Sequence, residues 1–125
     1  MITKLVIPGR CPMNNGRDGL LRMHWRKRNK LRDYYQLLFR TQTTNRHTGQ
    51  VRIELVRHST GQPADYDGLV SSGKLPFDAM KRAGIIVDDS PDYIGQPSYS
   101  QTKAINHKSQ MTVIRIIDVD PTHAP

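Results

Sequence analysis

The sequence predicts a small α+β domain, a mixed sheet of about four strands flanked by two helices. Two patterns carry this. Apolar and polar residues alternate in "VRIELVRH" and "QMTVIRIIDV", the two-residue period of half-buried strands. Leu31, Tyr34, Tyr35, Leu38 and Phe39 recur instead at the spacing of one helix face. Length supplies the third observation. A chain of 125 residues with a 36% apolar share suits one domain over 1–125 with a modest core.

In chain order, "KLVIP" (Lys4 to Pro8) is expected as a short opening strand closed by proline. The Gly-, Pro- and Asn-rich stretch "GRCPMNNGRDGLLRMH" follows as an irregular arm. "WRKRNKLRDYYQLLFRTQT" is the amphipathic helix, and Val51 to His58 the next strand. A second helix is expected to reach about Ala83, with Phe77, Ala79, Met80 and Ala83 inward. Ser72 is its expected N-cap and Pro76 lies in its opening turn, where a missing amide hydrogen does least harm. Gly84 ends it, and Ile85 to Val87 reads as a short buried strand. "YIGQPSYSQTKAINH" holds an irregular strand, Gln110 to Val119 a strong final one, and "DPTHAP" a frayed tail.

Charge is unevenly placed. The formal net charge is +8, yet Arg10 to His58 holds twelve Lys or Arg against three acids, while Ser59 to Gly95 holds three against six. Such a split suggests a polyanion-binding surface beside a distinct acidic spot. No apolar run approaches the roughly 18 residues of a membrane span, and no signal-peptide pattern opens the chain. Cys11 is the single cysteine, so no internal disulfide is available and a cytoplasmic setting is expected. The five histidines lack the spacing of a zinc site and read as surface or core residues.

Asp65 and Asp67 stand one residue apart. In an extended segment, positions i and i+2 face the same side. Asp89 follows the expected Ile85–Val87 strand, and two strand ends meeting across a sheet would gather all three carboxylates. Hard oxygen ligands so grouped suit Mg²⁺ or Mn²⁺, which keep several waters and share coordination with substrate phosphate. Lys74, near the helix start, can reach the same pocket and stabilise charge developing on phosphorus. Read singly, each residue has a plainer use. Asp67 before Gly68 suits a turn cap, Asp88, Asp89 and Asp92 suit a turn around Ser90-Pro91, and Lys74 suits a solvated helix.

The order of residues adds to their spacing. From Asp65 to Asp89 the chain runs D-x-D, a lysine three residues ahead of "FDAM", then "KRAG", three apolar residues and "DD". This resembles the signature of the RusA family of Holliday-junction resolvases, approximately D-L-D-N, a short gap, K-x-x-F-D-A-L, A-G and D-D. "PMNNGR" also resembles that family's Pro-x-Asn-Asn loop. The resemblance implies a small Mg²⁺-dependent endonuclease, typically of phage or prophage origin, acting as a homodimer on four-way junction DNA. Asp65, Asp67 and Asp89 match the metal-binding carboxylates, Lys74 the catalytic lysine, and Asp88 a paired acid of secondary role. Two departures stand out. Gly68 occupies the usual Asn position, and about three extra residues lie between Asp67 and Lys74.

On this reading a metal-activated water attacks the scissile phosphate and Lys74 stabilises the transition state. Arg26, Lys27, Arg28, Lys30 and Arg32 grip the junction arms through phosphates, and Trp25 beside them is a candidate for stacking on bases. Paired cuts need two sites, hence a two-fold dimer. Two alternatives stay open. One is a junction- or DNA-binding protein of the same fold that has lost turnover; the other, a basic RNA-binding module, leaves the carboxylates unexplained.

Overall fold

The computed structural model describes residues 1–13 and 19–119. Asn14, Asn15, Gly16 and Arg17 of the "PMNNGR" stretch, and the "DPTHAP" tail, lie outside the described residues. Strands β1 (Ile2–Pro8), β2 (Val51–Ser59), β3 (Ser98–Lys103) and β4 (Met111–Asp118) form a mixed sheet in the order β1-β4-β2-β3. β4 runs antiparallel between β1 and β2, whereas β3 pairs with β2 in parallel. Parallel neighbours cannot be joined by a hairpin. The connection from β2 to β3 therefore passes through α2 (Tyr66–Ser71), α3 (Lys74–Arg82) and α4 (Pro91–Ile94). The acid-rich window of the sequence is this crossover.

Alternation sets the core. Leu5, Ile114 and Leu55 sit in register across β1, β4 and β2, as do Thr3, Ile116 and Ile53, and all six are buried. Onto this face α1 (Trp25–Gln42) lays Tyr35 and Phe39, and α3 lays Phe77, Ala79 and Met80. A fully buried side chain of this size contributes about 1.5–3 kcal/mol, so the face that the alternation marks is the face the helices must cover. The opposite face carries Lys4, Arg115 and Glu54 in one row. Among the described residues, no helix is long and apolar enough to cross a membrane.

Three expectations need correction. The helical stripe of α1 holds except at Tyr34, which is exposed. The second helix is two helices: Gly73, not Ser72, precedes α3, and α2 occupies residues expected to be extended. The hydroxyls of Ser71 and Ser72 turn back on the carbonyls of Gly68 (2.7 Å) and Leu69 (2.6 Å), closing α2. A side chain at Gly73 would press on the Phe77 ring at 2.9 Å, so only glycine lets the two helices join this close to the core. Pro76 does lie in the first turn of α3, buried.

Finally, Ile85–Val87 forms no strand. Gly84, at φ 78°, closes α3, with Gly84 N donating to Lys81 O and Ile85 N to Met80 O, both at 3.0 Å. That pairing is a Schellman cap. Ile85 and Ile86 then bury their side chains, while Ile85 O accepts from His47 N at 2.8 Å. Both edges of β2 are already taken, by β4 and β3, so no place beside it remains for a fifth strand.

Candidate functional site

Asp65 caps α2. Its backbone is still extended, and its Oδ1 accepts the amide hydrogen of Gly68 at 2.8 Å. One carboxylate oxygen is thereby committed to an otherwise orphan helix donor. A Cβ at position 68 would stand 2.7 Å from that same oxygen and 3.1 Å from Met13 Sδ. The glycine that departs from the resolvase signature is therefore the residue that leaves Asp65 its cap. Asp67 is already helical, in the first turn of α2. It is exposed, as is Asp65, and among the described residues it has no hydrogen-bond or ion-pair partner. The expectation that both acids stand on one extended segment does not hold, because Asp65 is the extended cap residue and Asp67 is already helical.

Lys74 is the first residue of α3, exposed and likewise without a partner among the described residues. Asp88 and Asp89 lie past the other end of α3. Lys81 Nζ stands 3.0 Å from Asp88 and 4.0 Å from Asp89. The hydrogen bond from Lys81 holds the Asp88 carboxyl below its ordinary pKa and lifts that of Lys81. A nine-residue helix is about 13 Å long, which separates the Lys74 end from the Lys81 end. Among the described residues, no three His, Cys, Asp or Glu side chains form a group able to hold a metal ion. The structure thus does not bring Asp89 to Asp65 and Asp67; the strand expected to deliver it is absent. By donor chemistry the remaining pair suits magnesium, commonly held by one or two carboxylates with water and substrate phosphate.

The basic residues of α1 divide. Arg26, Lys27 and Lys30 are exposed and Arg28 is half-buried, whereas Arg32 is used internally. Its Nη2 lies 3.1 Å from Asp33, its Nη1 donates to Asn29 at 3.3 Å, and its Nε is 3.9 Å from Asp78. This removes Arg32 from the expected phosphate-gripping set. Arg26, Lys27 and Arg28 crowd the first turn of α1, which holds no acid, although a helix N-terminus disfavours positive charge. His24 Nδ1 caps that turn from Arg26 N at 3.2 Å. Trp25 is 55% exposed, and the Arg26 guanidinium lies over its ring, 5.2 Å from the centroid.

Two further residues carry chemistry the spacing did not flag. His47 is buried, with Nε2 2.7 Å from Thr3 Oγ1 and Nδ1 2.6 Å from Asp118 Oδ1. Asn45 Nδ2 donates to Thr3 Oγ1 at 3.0 Å. Thr3 Oγ1 thus meets both the His47 ring and the Asn45 amide. With Thr3 buried, this is a clasp joining β1, β4 and the segment after α1, and a core role for His47 agrees with its sequence reading. Arg57 is the other residue. It shares the inward phase of Val51, Ile53 and Leu55, a signal visible in the alternation itself. Cys11 is buried and its thiol pKa is raised by that burial, which makes it unreactive.

No protein-family model matches the chain, and no curated protein matches it.

Proposed function

We propose that the chain is a magnesium-dependent, structure-selective DNA endonuclease that resolves four-way junctions as a homodimer in the cytoplasm. One observation carries this reading. The apolar members of the Asp65–Asp89 signature, Leu69, Phe77, Ala79 and Met80, build the core, whereas Asp67 and Lys74 stand exposed and unpartnered among the described residues. Polar side chains that fold does not use are available for chemistry. Asp65, through its uncommitted oxygen, and Asp67 would hold Mg²⁺ or Mn²⁺. Such an ion supplies a more acidic water and offsets phosphate charge. Lys74 would add a fixed positive charge near the reacting phosphate, and Arg26, Lys27, Arg28 and Lys30 would hold the junction arms by their backbones.

A second reading is favoured by the separation of Asp89 from the pair: a junction-binding protein of the same fold without turnover. Nicking of a labelled synthetic four-way junction by wild type and Asp67→Asn, in Mg²⁺ and in chelator, tests both. The endonuclease makes symmetric nicks that vanish in chelator and fall at least a hundredfold, on the order expected when a catalytic group is displaced or lost, in Asp67→Asn. Tight junction binding with no nick in any divalent metal supports the binding protein instead.

A further inference from the structure

β2 and β3 are the parallel pair of the sheet. Beyond their carboxyl ends lies a cavity of about 230 Å³, lined by Ser59, Gly61, Pro63, Gln101, Thr102 and Lys103. Open α/β sheets bind ligands outside the carboxyl ends of parallel strands. Arg57 is not itself in the lining, but it pairs in the ladder with Gln101, which is. It faces Gln101 on β3 and Thr112 on β4 in register, and Ser59 follows two residues later on the same face.

Arg57 is 4% exposed, yet its Nε and Nη1 make no hydrogen bond. No carboxylate among the described residues pairs with it. The charged and titratable neighbours acting on it are Arg10, which repels, and the Cys11 thiol. A buried guanidinium with two empty donors, and no counter-charge among the described residues, is a costly thing for a core to retain. Unsatisfied buried groups of this kind call for an absent partner or a functional reason. Burial, and after it repulsion from Arg10, holds its pKa below the ordinary arginine value. Gln101 meanwhile clamps the backbone of Ala64, accepting from its N at 2.9 Å and donating to its O at 2.7 Å. Asp65 is thus tethered at the same end of the sheet.

We propose that Arg57 anchors a phosphate-binding site at the carboxyl ends of β2 and β3, with exposed Arg10 and Lys103 adding positive charge. An oxyanion with several acceptor oxygens supplies both the missing charge and the missing acceptors. The ligand is a phosphate group, from a small phosphate compound or from a DNA backbone, and the inference holds whether or not the chain cuts DNA.

Thermal unfolding of the full chain, with chelator present, tests it. Wild type, Arg57→Met and Arg57→Lys are compared in inorganic phosphate and in chloride at equal ionic strength and pH. Phosphate raises the wild-type Tm by about 4 °C or more and leaves Arg57→Met unmoved. In chloride Arg57→Met is as stable as wild type or more so, because a lone buried charge has gone. An equal rise in wild type and Arg57→Met marks a general salt effect and overturns the site, as does no rise in wild type. Failure of both variants to fold assigns Arg57 an internal role and also overturns it. DNA binding across a salt series then names the source. A log–log slope lower by about one in Arg57→Met assigns the phosphate to DNA, and an unchanged slope beside the phosphate-dependent Tm rise assigns it to a small ligand.

Discussion

The Asp65 carboxylate caps α2 by accepting the amide hydrogen of Gly68, and the absent side chain of Gly68 is what permits that bond. At the other end of the sheet, His47 hydrogen-bonds Asp118 through Nδ1 and Thr3 through Nε2. The hydrogen bond from His47, first among its causes, holds the Asp118 carboxyl below its ordinary pKa of 3.8. A carboxyl depressed in the fold contributes stability that is complete above its unfolded pKa and disappears as pH falls through the folded value. With 42% of the Asp118 side chain exposed, solvent screening keeps that contribution under about 1 kcal/mol. Urea midpoints measured from pH 7 to pH 2 should therefore fall less steeply below pH 4 in Asp118→Asn than in wild type. Parallel acid limbs in the two proteins would show that the clasp gives Asp118 no advantage.

At the scale of elements, α1 sets fold against function. Arg26, Lys27 and Arg28 occupy its first turn, where the helix dipole favours acids. Lys27→Glu should raise stability by about 0.3–1 kcal/mol through the dipole. The same change should weaken DNA binding at low salt and lower its log–log salt slope by at least about one. Calorimetry and a salt series measure the two effects; a variant that loses stability, or binds DNA unchanged, contradicts the assignment. α1 was legible because its stripe runs through Leu31, Tyr35, Leu38 and Phe39, long enough for the helical period to declare itself. α2 was not. Its six residues, "YDGLVS", include a glycine and a β-branched valine, and local preference there favours a turn. Tertiary context decided it, through the Asp65 cap and burial of Leu69. Ile85–Val87 misled in the opposite direction. Three apolar residues read as a buried strand whether or not the sheet has a vacant edge, and here β3 had taken it.

Over the whole molecule, that one misreading governs the candidate site. The residue types were plain in the sequence: acids in a basic chain, a lysine, and an arginine in phase with the core. Their assembly depended on topology. With α2 helical and no strand at Ile85–Val87, Asp65, Asp67 and Lys74 belong to one end of the crossover, and Asp88 and Asp89 pair with Lys81 at the other. The proposed function requires a divalent cation at the start of α2, and paramagnetic broadening of backbone amide signals by substoichiometric Mn²⁺ tests for it. Broadening should centre on residues 65–68, vanish in Asp67→Asn and be competed by Mg²⁺. Broadening centred on Asp88 and Asp89, or spread evenly along the chain, would contradict the proposal.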